Sequence, residues 1–99
     1  MAGQVQHSEK TLIKTREPKM FAVVLHNDEI TTMDFVVELL VKIFHKTAAD
    51  GAAIMMEVHS GGLGVAGVYT YDVAVTKKRQ ADQLSRERNF PLKLTLDEC

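Results

Sequence analysis

The sequence predicts an α+β domain, a compact β-α-α-β-α-β sandwich with a small three-stranded antiparallel sheet packed by three helices. Three observations predict it. Short apolar or alternating runs bounded by breakers read as strands at three places. Between them lie three longer segments of helical periodicity, each opened by a capping threonine. And 99 residues suffice for one small core and no more.

Residues 1–18 are polar, lack periodicity and end at Pro18, so a flexible N-terminal tail is expected, with the core domain over 19–99. Met20 to Leu25 is an apolar run that reads as a buried strand. His26 to Ile30 is polar enough to form a loop. Thr31 and Asp34 have capping-box spacing, so the first helix should start there and run to about Lys46. Only Asp34, Glu38 and Lys42 make a polar stripe on it, so it should be covered on more than one side. Thr47 and Asp50 repeat the spacing and open a second helix through His59, stopped by Gly61-Gly62. Leu63 to Thr70 alternates large and small residues, as a strand closely packed by a helix would. Thr70 should cap a third helix, about Tyr71 to Arg88, with Asp72 well placed in its first turn. Beyond Pro91, Leu92 to Leu96 alternates as a one-sided final strand.

Composition narrows the function. With 45% hydrophobic and 25% charged residues the chain is an ordinary globular domain, not a disordered one. No apolar run reaches membrane-spanning length, and the first twenty residues lack the apolar stretch of a secretory signal. The lone Cys99 cannot staple the fold, which fits a cytoplasmic setting. Dinucleotide, phosphate-loop and cysteine-zinc motifs are absent, so no cofactor or metal is expected. The net charge of −1 hides segregation: the stretch 20–70 carries six acidic residues against Lys42 and Lys46, and more basic stretches flank it. An acidic middle favours a cationic ligand. Lys77-Lys78-Arg79 is a basic patch without interleaved aromatics, and reads as a solvated helix face rather than a nucleic-acid footprint.

Asn27, Asp28 and Glu29 place three oxygen-bearing side chains between a strand end and a helix start. Ordinary turn chemistry accounts for them as well. On the second helix Met55 and His59 are four apart and share a face with Val58 beside them, which describes the rim of an apolar pocket or plain core packing. Met33 and Val36 would meet them if the first two helices pack together. A small acid-base hydrolase using His59 and Asp28 can be drawn, as can a zinc site from His26, Asp28 and His59, but neither has motif spacing behind it.

The stretch Val24-Leu25-His26-Asn27-Asp28-Glu29-Ile30-Thr31-Thr32-Met33-Asp34-Phe35-Val36 resembles the strand–Asn-Asp-Asp–Thr-Pro-Met-Glu-Phe-Val segment of the bacterial ClpS adaptors. Met55-Met56-Glu57-Val58-His59-Ser60-Gly61-Gly62 is similar to their second-helix end, Met-x-x-Val-His-x-x-Gly. Gly67-Val68-Tyr69-Thr70 with Asp72-Val73-Ala74 and Thr76-Lys77 resembles their junction of strand two and helix three, and Phe90-Pro91-Leu92 with Thr95-Leu96 their closing strand. The likeness runs from about residue 19 to 98.

The resemblance implies an N-degron adaptor rather than an enzyme. Such a protein binds substrates or peptides with N-terminal Phe, Tyr, Trp or Leu and hands them to the ClpAP protease. It implies that Asn27 and His59 hydrogen-bond the substrate's α-amino group, with Asp28 and Glu29 assisting directly or through water. Thr31, Met33, Val36, Met55, Val58 and Leu92 match the side-chain pocket, with Met33 at the position that gates against β-branched residues. Asp72 and Lys77 match positions that dock the N-terminal domain of the unfoldase ClpA, and the tail matches the segment fed to it. Three residues depart from the family's pattern: Glu29 stands for an Asp, Thr32 for a Pro, and His26 for an apolar pocket residue. His26 is therefore expected to narrow or polarise the pocket.

Overall fold

A computed structural model describes residues 18–99. The expected tail lies outside the described residues except for Pro18. The elements are β1 (Met20–His26), α1 (Met33–Lys42), α2 (Ala48–Gly61), β2 (Leu63–Thr70), α3 (Tyr71–Glu87) and β3 (Lys93–Glu98). They form a three-stranded antiparallel sheet of order β2-β1-β3 with β1 in the middle. The predicted β-α-α-β-α-β order and sheet are the observed ones.

The run Ala22–Leu25 is buried because a partner strand flanks it on each side. Period two then sorts its residues. Leu25 pairs with Gly64 and Leu94, and Gly64 lies against Val58 and Ile54 of α2. Phe21, on the same face, meets Tyr71 of α3 edge-on at 5.1 Å. The helices thus cover the Phe21–Val23–Leu25 face. The other face carries Ala22, Val24 and His26, and on β2 it leaves Leu63, Val65 and Val68 exposed. A bulge between Val23 and Val24 gives β2 one extra residue, Ala66, which is fully buried.

Small residues set the approach of α3: Ala74, Ala81 and Ser85 are buried along it, and the Ser85 hydroxyl donates to the Ala81 carbonyl at 2.8 Å. The helix ends in a Schellman motif, with Asn89 at φ 63°, Asn89 N–H donating to Arg86 O and Phe90 N–H to Ser85 O. Phe90 then packs on Phe35 of α1 at 4.8 Å.

Three details differ from the sequence reading. Helix α1 is capped by Thr32, whose Oγ1 accepts from Phe35 N–H at 3.2 Å, and not by Thr31. It stops at Lys42 rather than near Lys46, because the chain must reverse before Thr47 caps α2: His45 takes φ 56° and Lys46 N–H returns to Leu40 O. Thr70 has the backbone of a cap but makes no side-chain cap bond. Phe35, Val36, Leu39 and Leu40 are buried, while Val41 is 37% exposed.

A clamp outside the core ties α1 to the end of α3. Arg88 donates twice to Glu38, at 3.0 and 2.5 Å, and lies 5.8 Å over the Phe35 ring. Lys42 joins at 2.7 Å. These hydrogen bonds, first from Arg88 and then from Lys42, hold the Glu38 carboxyl down from its ordinary 4.5 to about 2. A depressed folded-state value means the clamp contributes fully above pH 4.5 and is lost as pH falls towards 2. Thermal unfolding followed from pH 6 to pH 2 should therefore show a wild-type advantage over Glu38→Gln that closes across that window. A gap constant with pH refutes it.

Candidate functional site

A cleft of about 480 Å³ opens between the β1–α1 loop and the facing ends of α1 and α2. Residues 27–32 of the loop form one wall. Val36 of α1 and Val58 of α2, 5% and 2% exposed, form the floor. Met55 and His59 stand one turn apart on the α2 side, as the four-residue spacing predicts. Met33, 44% exposed, stands at the mouth. The structure so brings together Asn27, Asp28, Glu29, Thr31, Met33, Val36, Met55, Val58 and His59.

Local chemistry fixes the wall. Asn27 N–H donates to Gly62 O at 2.8 Å, which ties the loop to the end of α2 three residues past His59. Gly62 can cap there because it takes φ 92°, a conformation glycine enters at little cost. Asp28 closes the loop: Oδ1 accepts from Ile30 N–H at 2.8 Å and Thr31 N–H at 2.7 Å, and Oδ2 from the Thr31 hydroxyl at 2.7 Å. Partial burial pushes the Asp28 carboxyl up, but the bonds from Thr31 and Ile30 outweigh it and hold the group below its ordinary value. Glu29 and Asn27 are exposed beside it.

Two expected pocket residues are elsewhere. His26 does not narrow or polarise the cleft. It sits on the far face of the sheet with Val24, its Nε2 2.8 Å from Thr95 Oγ1. The alternation of β1 explains this: Leu25 faces the helices, so His26 cannot. Leu92 is buried in the core and does not line the cleft. Two lining residues escaped the sequence reading, Ile30 and Thr32. Ile30 is 66% exposed, and an apolar side chain inside a polar loop was its only signal.

Asp72 and Lys77 lie on α3, away from the cleft. Asp72 is exposed in the first turn, whereas the Lys77 amino group donates to Ile43 O at 2.8 Å and so satisfies a carbonyl left open where α1 ends. Among the described residues no group of three or more His, Cys, Asp or Glu side chains is placed to hold a metal ion. Nor, among those residues, is any helix long and apolar enough to cross a membrane. The hydrolase reading needs Asp28 beside His59, but Asp28 directs both oxygens at residues 30 and 31.

The family described as "ATP-dependent Clp protease adaptor protein ClpS" matches residues 16–95. The chain belongs to the ClpS family. It is 50% identical over 96 residues to the ClpS adapter protein of Acetivibrio thermocellus, covering 91% of this chain and 97% of that one. It is 53% identical over 85 residues to that of Syntrophus aciditrophicus, covering 86% and 79%. A solved structure of Agrobacterium tumefaciens ClpS2 bound to L-phenylalaninamide superposes with a TM-score of 0.81 at 35% identity, covering 84% of this chain and all of that one. ClpS proteins are adaptors of the Clp protease and not enzymes, and this chain is one of those adaptors.

Proposed function

We propose that this ClpS-family chain is an N-degron adaptor that binds a free α-amino group together with a bulky N-terminal side chain. The observation that carries the reading is the cleft itself, an apolar floor under a rim of Asn27, Glu29 and His59. Its volume of about 480 Å³ falls within the range of small-ligand sites, about 300–1,000 Å³. A peptide's α-amino group has a pKa of about 7.7–8.0 and is mostly cationic at neutral pH. It offers three donors, and an Asn oxygen, a carboxylate and a neutral His nitrogen are matching acceptors. The cleft accepts Phe, Tyr, Trp or Leu, and the Met33 side chain at its mouth disfavours branching at Cβ. A few charge-assisted bonds at about 1.5–3 kcal/mol each and one buried side chain at a similar value, less the cost of association, leave affinity on the order of micromolar. That suits a carrier that must release its cargo.

The reading makes the protein a cytoplasmic partner of the unfoldase ClpA, whose N-terminal domain would dock on α3 around Asp72, with Lys77 holding that helix to the end of α1. The deciding experiment compares a labelled peptide with a free N-terminal Phe and its N-acetylated twin by fluorescence anisotropy. Only the free amine should bind. Equal binding of both overturns the reading.

A further inference from the structure

We propose that Asp28 is a positioning residue: it does not hold the cargo's ammonium itself but locks the loop so that Asn27 presents its side chain to the cleft. The inference rests on the peptide-binding reading above. Three donors already converge on this carboxylate, one from Ile30 and two from Thr31, at 2.7–2.8 Å. Oδ1 is fully used by two backbone amides, and Oδ2 holds the Thr31 hydroxyl. Donors this close place positive ends around the charge and weaken what remains for a ligand.

The same bonds act on the neighbour. Asn27 is held from behind by its N–H on Gly62 O at 2.8 Å. From ahead it is held by the Asp28 turn, which leads through Thr31 into the Thr32 cap of α1. Its backbone is therefore anchored to α2 on one side and to α1 on the other, and those two helices form the cleft's floor. Without the turn, residues 28–31 keep no other side-chain bond among the described residues, and the wall loses its forward anchor. Asp28 is also half-buried while Glu29, one residue on, is exposed and better placed to meet an arriving cation.

An asparagine tests this because it separates charge from shape. In Asp28→Asn the side-chain oxygen still accepts from both amides, and the amide nitrogen donates to Thr31 Oγ1. In Asp28→Ala every bond is gone. For a free-amine Phe peptide, Asp28→Asn should bind within about fivefold of wild type, the effect of losing one charge that does not touch the cargo and is screened by water. Asp28→Ala should lose about tenfold or more. Hydrogen exchange gives a readout without peptide: the Ile30 and Thr31 amides should be protected in wild type and Asp28→Asn and exposed in Asp28→Ala. Equal loss in the Asn and Ala variants, or exchange unaltered by Asp28→Ala, overturns the proposal. If wild type fails to distinguish free from acetylated peptide, the peptide reading fails, and the exchange arm alone still judges the turn.

Discussion

Asn27→Ala and His59→Ala are each expected to weaken binding of a free-amine Phe peptide by about 10- to 100-fold, the value of one charge-assisted hydrogen bond. Thermal unfolding should barely change. Both residues are exposed, neither belongs to the core, and among the described residues no hydrogen bond uses either side chain. The loop keeps its anchors in Asn27→Ala, because the tie to Gly62 is made by the backbone. Calorimetric titration of each variant with the peptide, set beside its melting curve, checks the two halves together. Undiminished affinity in either variant removes that residue from the binding rim. Affinity lost in step with the melting temperature would instead make the residue part of the scaffold.

The second large effect is expected at Gly64→Ala. A Cβ there would lie 2.9 Å from Val58 Cγ2 and 3.3 Å from the Ile54 carbonyl oxygen. The first neighbour is a buried side chain and the second is helix backbone, so α2 must move off the sheet. Overpacking of this kind costs about 1–3 kcal/mol. For a domain of this size each kcal/mol lowers Tm by about 4–8 °C. Because α2 carries Met55, Val58 and His59, peptide binding should weaken with stability. Gly61→Ala is the control: its Cβ would meet nothing within 4 Å, and its melting and binding should match wild type. A Gly64→Ala protein that melts and binds like wild type refutes the close-packing account.

Much of this was legible in the sequence. The range of β2, the Thr47 cap with its Asp50 partner and the Gly62 stop follow from local rules that the tertiary structure leaves intact. The cleft was legible because Met55, Val58 and His59 share a helical face and Met33 and Val36 open the facing helix. What failed needed information beyond a motif match. His26 is placed by the two-residue alternation of β1, which overrides its likeness to a pocket position. The choice between Thr31 and Thr32 as cap turned on Asp28, which takes the Thr31 hydroxyl and leaves Thr32 for the helix. The early end of α1 comes from the reversal at His45, and only Gly or Asn would have announced that in the sequence.

The bulge in β2 has a consequence for how the protein behaves in crowded solution. Among the described residues β2 is an outer strand with one edge unpaired, and it shows Leu63, Val65 and Val68 to solvent. Such an edge is a template on which another chain's strand can grow, the first step towards aggregation. The extra Ala66 breaks the regular spacing of donors and acceptors half-way along, and Gly64 and Gly67 deprive an added strand of side chains to pack against. The irregularity that sends Ala66 into the core therefore also makes the exposed edge a poor seed.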